Sequence, residues 1–434
     1  MIEAFPDGTR MLHIGPHKTG TTSLQAAFWE GRETLEAHGV LWAGEEVHPM
    51  DAAIAAATGG GIATTLTDGV LRRWRDLIAE VDRSDARVKI ISSEFFSEAS
   101  PERIGVILDQ LGREQTRVVV TLRPLTRILA SQWQQYMQNQ LSTKYPGNPS
   151  YEGWLDLILS DIDRRDITPS FWKRHRHDVL VRSWAEAVGP DRLTVVVVDD
   201  ARPRGLLESF ERLAGLPQGS IEPFRSSGNR SLTYSEVTAL RAFNARWQAE
   251  DRSLLDYTHY VRWRAVRHLL ESLPSADDPR INTPAWAIDR ANEIGAQMVA
   301  SIRELGVEVD GDLDLLANAA PRSVGTNDPD VRVPVEAAAR LAAGMLKGLA
   351  GTPAENARDY RRVGPVEDAV RRSKIKRVTR GEIVGKGWRL RNGDERLARD
   401  LSRLQLLAAA ASRARPSVRA RRQPRYPNRS KSSA

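Results

Sequence analysis

The sequence predicts an α/β protein, with a central, mostly parallel sheet flanked by helices and a helical C-terminal part ending in a basic tail. Three observations lead there. Four apolar runs of β-forming residues, "MLHI" at 11–14, "VKIIS" at 88–92, "RVVVTL" at 117–122 and "LTVVVV" at 193–198, are continuous rather than alternating. Strands buried on both faces of a parallel sheet have that character. Segments of helical period lie between the runs, and strand–helix alternation of this kind builds layered α/β domains. Finally, "HIGPHKTGTTSLQ" at 13–25 passes from a strand, through a loop of two glycines and a lysine, into an amphipathic helix.

Taken in order, the elements justify themselves locally. In 68–82, Val70, Leu71, Trp74, Leu77, Ile78 and Val81 share one helix face. Residues 100–111 open on Ser100-Pro101, an N-cap and first-turn pair, and place Ile104, Ile107, Leu108 and Leu111 on one side. The pattern at 204–214 stops at Gly215 and Pro217. Beyond about residue 230 the strand-like runs cease, and helices are expected at 233–249, 256–273, 284–305 and 334–348, with 319–333 a loop. The expected division is an α/β domain with a helical C-terminal half over 8–320, a linker and helix over 321–365, and a basic, partly disordered extension over 366–434.

Charge is unevenly divided along the 434 residues. The net charge is +7, yet residues 371–434 carry 20 Lys/Arg against 4 Asp/Glu, leaving 43 against 52 in residues 1–370. The pI near 9.7 therefore belongs to the tail, and the main body is acidic. There is no cysteine, which excludes disulfides, thiolate metal sites and cysteine nucleophiles. No apolar run has the length of a membrane span, and "MIEAFPDGTR" lacks a basic-then-apolar leader. A cytoplasmic protein is expected, with peripheral contact at the inner membrane surface open to the tail.

The loop carries the chemistry. A nucleoside-triphosphate loop reads G-x-x-x-x-G-K-[ST], with lysine after the second glycine. Here Gly15 and Gly20 keep the glycine spacing, but Thr21, Thr22 and Ser23 follow Gly20, and the lysine stands inside the loop as Lys18. Backbone N–H groups and a helix N-terminus still face an anion. Only the direction of the cation has changed, so the anion need not be a triphosphate.

"GPHKTGTTSLQ" resembles the 5′-phosphosulfate loop of sulfotransferases that use 3′-phosphoadenosine 5′-phosphosulfate. In that family an arginine ending a later strand and a serine on the next helix grip the donor's 3′-phosphate, and "VVVTLRPLTRILASQW" supplies Arg123 and Ser131. A carboxylate or histidine at the end of an intervening strand often acts as base, and Glu94 in "KIISSEFFSE" matches by its order in the chain, with Glu98 a weaker competitor. "VRSWAEAVGPDRLTVVVVDD" and "GNRSLTYSEVTALRAFN" look like later segments of bacterial members, and "RSSGNRS" matches a nucleotide-contacting loop loosely, through Arg225 and Asn229. The resemblance covers roughly residues 8–320 and implies a P-loop NTPase-like sulfotransferase fold.

It also implies roles. Lys18 would meet the bridging and leaving oxygens. The N–H groups of 15–23, with His17, Thr19, Thr21, Thr22 and Ser23, would line the 5′-phosphate, and Glu94 would take a proton from an acceptor hydroxyl. No metal is implied, and the donor is the sole cofactor. Trp133, Gln134, Tyr136, Trp172, His175 and His177 are candidates for an acceptor pocket, although aromatic residues at helical spacing more often form core. Two other readings stand beside this one. A P-loop kinase would use Asp199-Asp200 for magnesium but lacks the lysine after Gly20. A nonenzymatic protein would bind nucleic acid or anionic lipid through the tail. The acceptor's identity and the oligomeric state are left open.

Overall fold

A computed structural model describes residues 2–59, 68–139, 148–163, 171–224, 230–250, 256–275 and 277–349. The tail expected from residue 366 onward lies outside them. Six parallel strands form one sheet in the order β2-β3-β1-β4-β5-β6, with β1 at Thr9–Ile14, β2 at Val40–Trp42, β3 at Val88–Ser92, β4 at Thr116–Leu122, β5 at Leu193–Val197 and β6 at Glu308–Asp310.

The four central strands coincide with the four apolar runs. The edge strands do not. Strands were expected to cease near residue 230, yet β6 pairs with β5, and β2 lies on the opposite edge. Each is three residues long, too short to show a period, and β6 reads Glu-Val-Asp with its side chains half-buried or exposed.

Side-chain alternation divides the core between the sheet's two faces. Leu12, Ile14, Ile91, Val118, Val120, Val195 and Val197 face one way. They pack under α3 (Met50–Thr58), α4 (Asp68–Arg83), α5 (Pro101–Gln110) and α9 (His177–Val188). Met11, Ile90, Val119 and Val196 face the other way, against α1 (Thr21–Glu30), α2 (Arg32–Ala37) and α10 (Gly205–Leu213). Each such aliphatic side chain contributes about 1.5–3 kcal/mol on full burial. Local signals act as read: Ser100 Oγ accepts the Arg103 N–H with Pro101 in the first turn of α5, and Gly215 leaves α10 at φ 64°.

A second core is helical. It joins α6 (Leu125–Asn139), α7 (Tyr151–Leu159), α8 (Phe171–His175), α11 (Tyr234–Ala249) and a ten-residue π-helix, Tyr257–Val266, around Trp133, Trp154, Phe171 and Tyr257. Thr233 and Glu236 close a reciprocal capping box at the start of α11. Residues 321–333 are held to this half: Ser323 Oγ donates to Asn282 Oδ1 at 2.6 Å, and the Gly325 N–H donates to the Thr283 carbonyl at 3.2 Å. The helix Val335–Leu349 follows and seats Gly344 against the π-helix, where a Cβ would come within 2.6 Å of Ala265 Cα. No described helix is long and apolar enough to cross a membrane.

Candidate functional site

The strand order puts the site at the carboxyl ends of the central strands. Strand β1 lies between β3 and β4, and the chain must cross over β1 to pass from one to the other. In open parallel sheets such a reversal leaves a crevice outside the carboxyl ends of the strands, where ligands bind. The loops after β1, β3, β4 and β5 all emerge there. They carry Gly15–Gly20, Ser93–Glu98, Arg123 and Asp199–Asp200 respectively.

The first loop is compact because its glycines let it be. A Cβ on Gly15 would lie 2.0 Å from Thr21 Oγ1 and 2.9 Å from Thr121 Oγ1, so any side chain there would force the loop off β4. Gly20 adopts φ 89° and starts α1, whose first turn has no side-chain cap and no acidic residue. The N–H groups of that turn that find no partner, and its dipole, are therefore open to an anion. Thr22 and Ser23 are exposed on that turn. The hydroxyls of Thr19 and Thr21 are turned inward instead: Thr19 Oγ1 donates to the Pro16 carbonyl at 2.7 Å and lies 3.0 Å from Thr121 Oγ1, while Thr21 Oγ1 donates to the Gly15 carbonyl at 3.2 Å. Beneath them His13 bridges Ser92 Oγ at 2.8 Å and Thr121 Oγ1 at 3.2 Å, and burial lowers its pKa to about 3, so it is a neutral strut.

Lys18 sits at φ 73°, a left-handed conformation that a non-glycine residue adopts at some cost. Its pKa is lowered to about 8, first by burial and then by Arg123 and Arg174, against an opposing pull from Glu94. A lysine one unit above the ambient pH is still about ten-elevenths charged. His17, next to it, lies edge-on to Phe95 with Nε2 3.7 Å from Glu98 Oε1; burial and Arg174 lower its pKa.

After β3 the chain makes a short 3₁₀ turn, Glu94–Glu98, capped by Ser93. The two carboxylates differ in kind. Glu98 is buried and accepts two hydrogen bonds from Arg174, at 2.6 and 3.0 Å, and Arg174 holds its pKa well below the carboxylate range in spite of burial. Such a group is a structural anion and a poor proton acceptor. Glu94 is more open, lies within the field of Lys18, and meets His48 Nε2 at 3.1 Å. His48 also bonds Ser93 Oγ at 2.8 Å and stacks on Phe95, so it steadies Glu94.

At the end of β4, Arg123 donates Nη1 to the Lys18 carbonyl at 3.1 Å and Nη2 to both oxygens of Asp200, at 2.5 and 2.7 Å. The same arginine thus supports the first loop and holds the loop after β5. Ser131, two turns into α6, is half-buried and donates to the Ile128 carbonyl. Arg225 and Asn229 lie outside the described residues. Among the described residues no three His, Asp or Glu side chains gather as a metal site.

The structure therefore brings together Lys18, Glu94 and Arg123. Of the candidates for an acceptor pocket, Trp133, Tyr136 and Trp172 are buried in the core, and Gln134 accepts the Leu232 N–H. His175 and His177 are buried as well, and both ring nitrogens of His175 lack a protein partner. Burial pushes the His175 pKa well down, with His177, His17, Arg174 and Lys18 adding to it. Missed in the sequence were His48 and Arg174, neither of which stands in a motif; Asp200, read there only as a magnesium ligand of the kinase alternative, is instead held by Arg123. Comparison of the chain with known protein families, with curated proteins and with solved structures finds no match.

Proposed function

We propose that the chain is a sulfotransferase that moves a sulfuryl group from 3′-phosphoadenosine 5′-phosphosulfate to an acceptor hydroxyl. The observation that carries the reading is the meeting, at the carboxyl ends of the central strands, of a loop lysine, a strand-end carboxylate and a strand-end arginine from three distant segments, beside an uncapped helix N-terminus. The 5′-phosphate would lie on the N–H groups of 15–23 with Thr22 and Ser23, and the 3′-phosphate against Arg123 and Ser131. In the transfer, the sulfur–oxygen bond to the 5′-phosphate breaks as a new one forms to the acceptor oxygen, and Glu94 takes that oxygen's proton. Charge builds on the departing phosphate oxygen, where Lys18 neutralises it. As in phosphoryl transfer, positioning and charge neutralisation supply most of the rate.

Calorimetry and a transfer assay test this directly. The chain should bind adenosine 3′,5′-bisphosphate much more tightly than AMP, without magnesium, and should release it from the sulfated donor when a hydroxyl acceptor is present. Equal affinity for AMP would remove the 3′-phosphate site. Magnesium-dependent ATP binding would favour a kinase.

A further inference from the structure

Arg123 is not alone at its end of the crevice. Arg127, in the first turn of α6, places Nε 3.5 Å from Asp200 Oδ2, so two guanidinium groups converge on a single carboxylate. Arg322 is a third cation, whose charge acts against that of Arg123. Its loop is tied to the first turn of α6 by Thr126 Oγ1, which donates to the Ala319 carbonyl at 2.7 Å. Arg322 is exposed and makes no ion pair among the described residues. The buried Nε of Arg123 also lacks a partner. Three cations against one carboxylate leave a surplus of two positive charges, concentrated where planar, forked donors recognise oxyanions best.

We propose that Asp200 occupies the place assigned above to the donor's second phosphate as an internal competitor, held there by Arg123 and Arg127 with Arg322 adding its charge. Asp200 thereby sets how strongly the chain discriminates a nucleotide bearing a second phosphate from one without. The nucleotide part rests on the function proposed above; the convergence of two arginines on Asp200 does not. A carboxylate carries one charge and two oxygens, whereas a phosphate monoester brings two charges and three oxygens to the same donors. The incoming phosphate must displace the aspartate or be repelled by it, and specificity is set as much by what a site repels as by what it attracts. Asp200 can give way, since it lies on a partly exposed turn after β5, next to Asp199, which caps the Ala201 N–H.

The test is Asp200→Asn, which keeps the shape and an acceptor for Arg123 but removes the charge, with Asp200→Ser as a second variant should the first unfold. Titrations at fixed ionic strength use three probes: adenosine 3′,5′-bisphosphate, AMP and inorganic phosphate. The bisphosphate and inorganic phosphate should each bind about tenfold more tightly to the variant, and AMP should change by less than about threefold. Adding Arg127→Gln or Arg322→Gln should reverse most of the gain, which assigns it to this subsite rather than to the loop at 15–23. Unchanged or weaker binding of both phosphate probes would overturn the proposal and make Asp200 a strut that positions Arg123. If neither adenosine nucleotide binds the unaltered chain, the sulfotransferase reading fails. Inorganic phosphate then decides the subsite alone: tighter binding reversed by Arg127→Gln supports it, and no change overturns it.

Discussion

Replacing Lys18 with methionine should stabilise the protein while impairing it. Methionine keeps the unbranched stem that tolerates φ 73° and removes the charge. A lysine brought from its ordinary 10.5 to about 8 carries a native-state penalty of about 3 kcal/mol at 1.36 kcal/mol per pH unit. The residue as a whole is half-buried, so water screens part of this, and a gain of about 1–2 kcal/mol is expected at pH 7. The sign follows from linkage. The folded-state pKa is lowered, so the penalty is complete below about 8, shrinks as pH rises, and vanishes above 10.5, where the unfolded chain has also lost the proton. Urea unfolding of both proteins from pH 7 to 10 measures the difference, and calorimetry with adenosine 3′,5′-bisphosphate measures the functional loss, expected to be tenfold or more. A variant less stable at pH 7, or a gain that does not shrink with rising pH, would refute the account of Lys18 as a charge held in the pocket at the expense of stability.

Other outcomes follow from the same geometry. Glu94→Gln should leave bisphosphate affinity nearly unchanged and lower turnover roughly 10²-fold or more, because the amide cannot take the proton; wild-type turnover would remove Glu94 from the mechanism. Arg174→Met leaves Glu98 buried without its partner and should cost about 3–5 kcal/mol in denaturant unfolding at pH 7, less at acid pH, where Glu98 can be protonated. Gly295→Ala should destabilise by more than about 2 kcal/mol, since its Cβ would lie 2.1 Å from the Leu316 carbonyl oxygen; a midpoint unchanged by the substitution would contradict the packing described.

The central strands and the loop at 15–20 could be read from sequence because their causes are local. A buried parallel strand needs a continuous apolar run, and the loop needs glycine where a Cβ would strike Thr21 and where the chain turns left-handed into α1. The short edges β2 and β6 had no such signature. Within the loop, sequence could list the hydroxyls but not their directions: Thr19 turns inward because Thr121 of the neighbouring β4 meets it there. The partners of the charged groups were the least accessible. Arg123 meets Asp200 across 77 residues and Arg174 meets Glu98 across 76, while His48 reaches Ser93 across 45. An arginine's spacing from an aspartate says nothing about which of them share a crevice. That depends on β1 lying between β3 and β4, with β5 beside β4, an order set by how the whole apolar core packs. Residue types and local turns were therefore written in the sequence, whereas the pairing that makes Glu98 a strut, leaves Glu94 open and puts Asp200 on Arg123 was decided by long-range strand order.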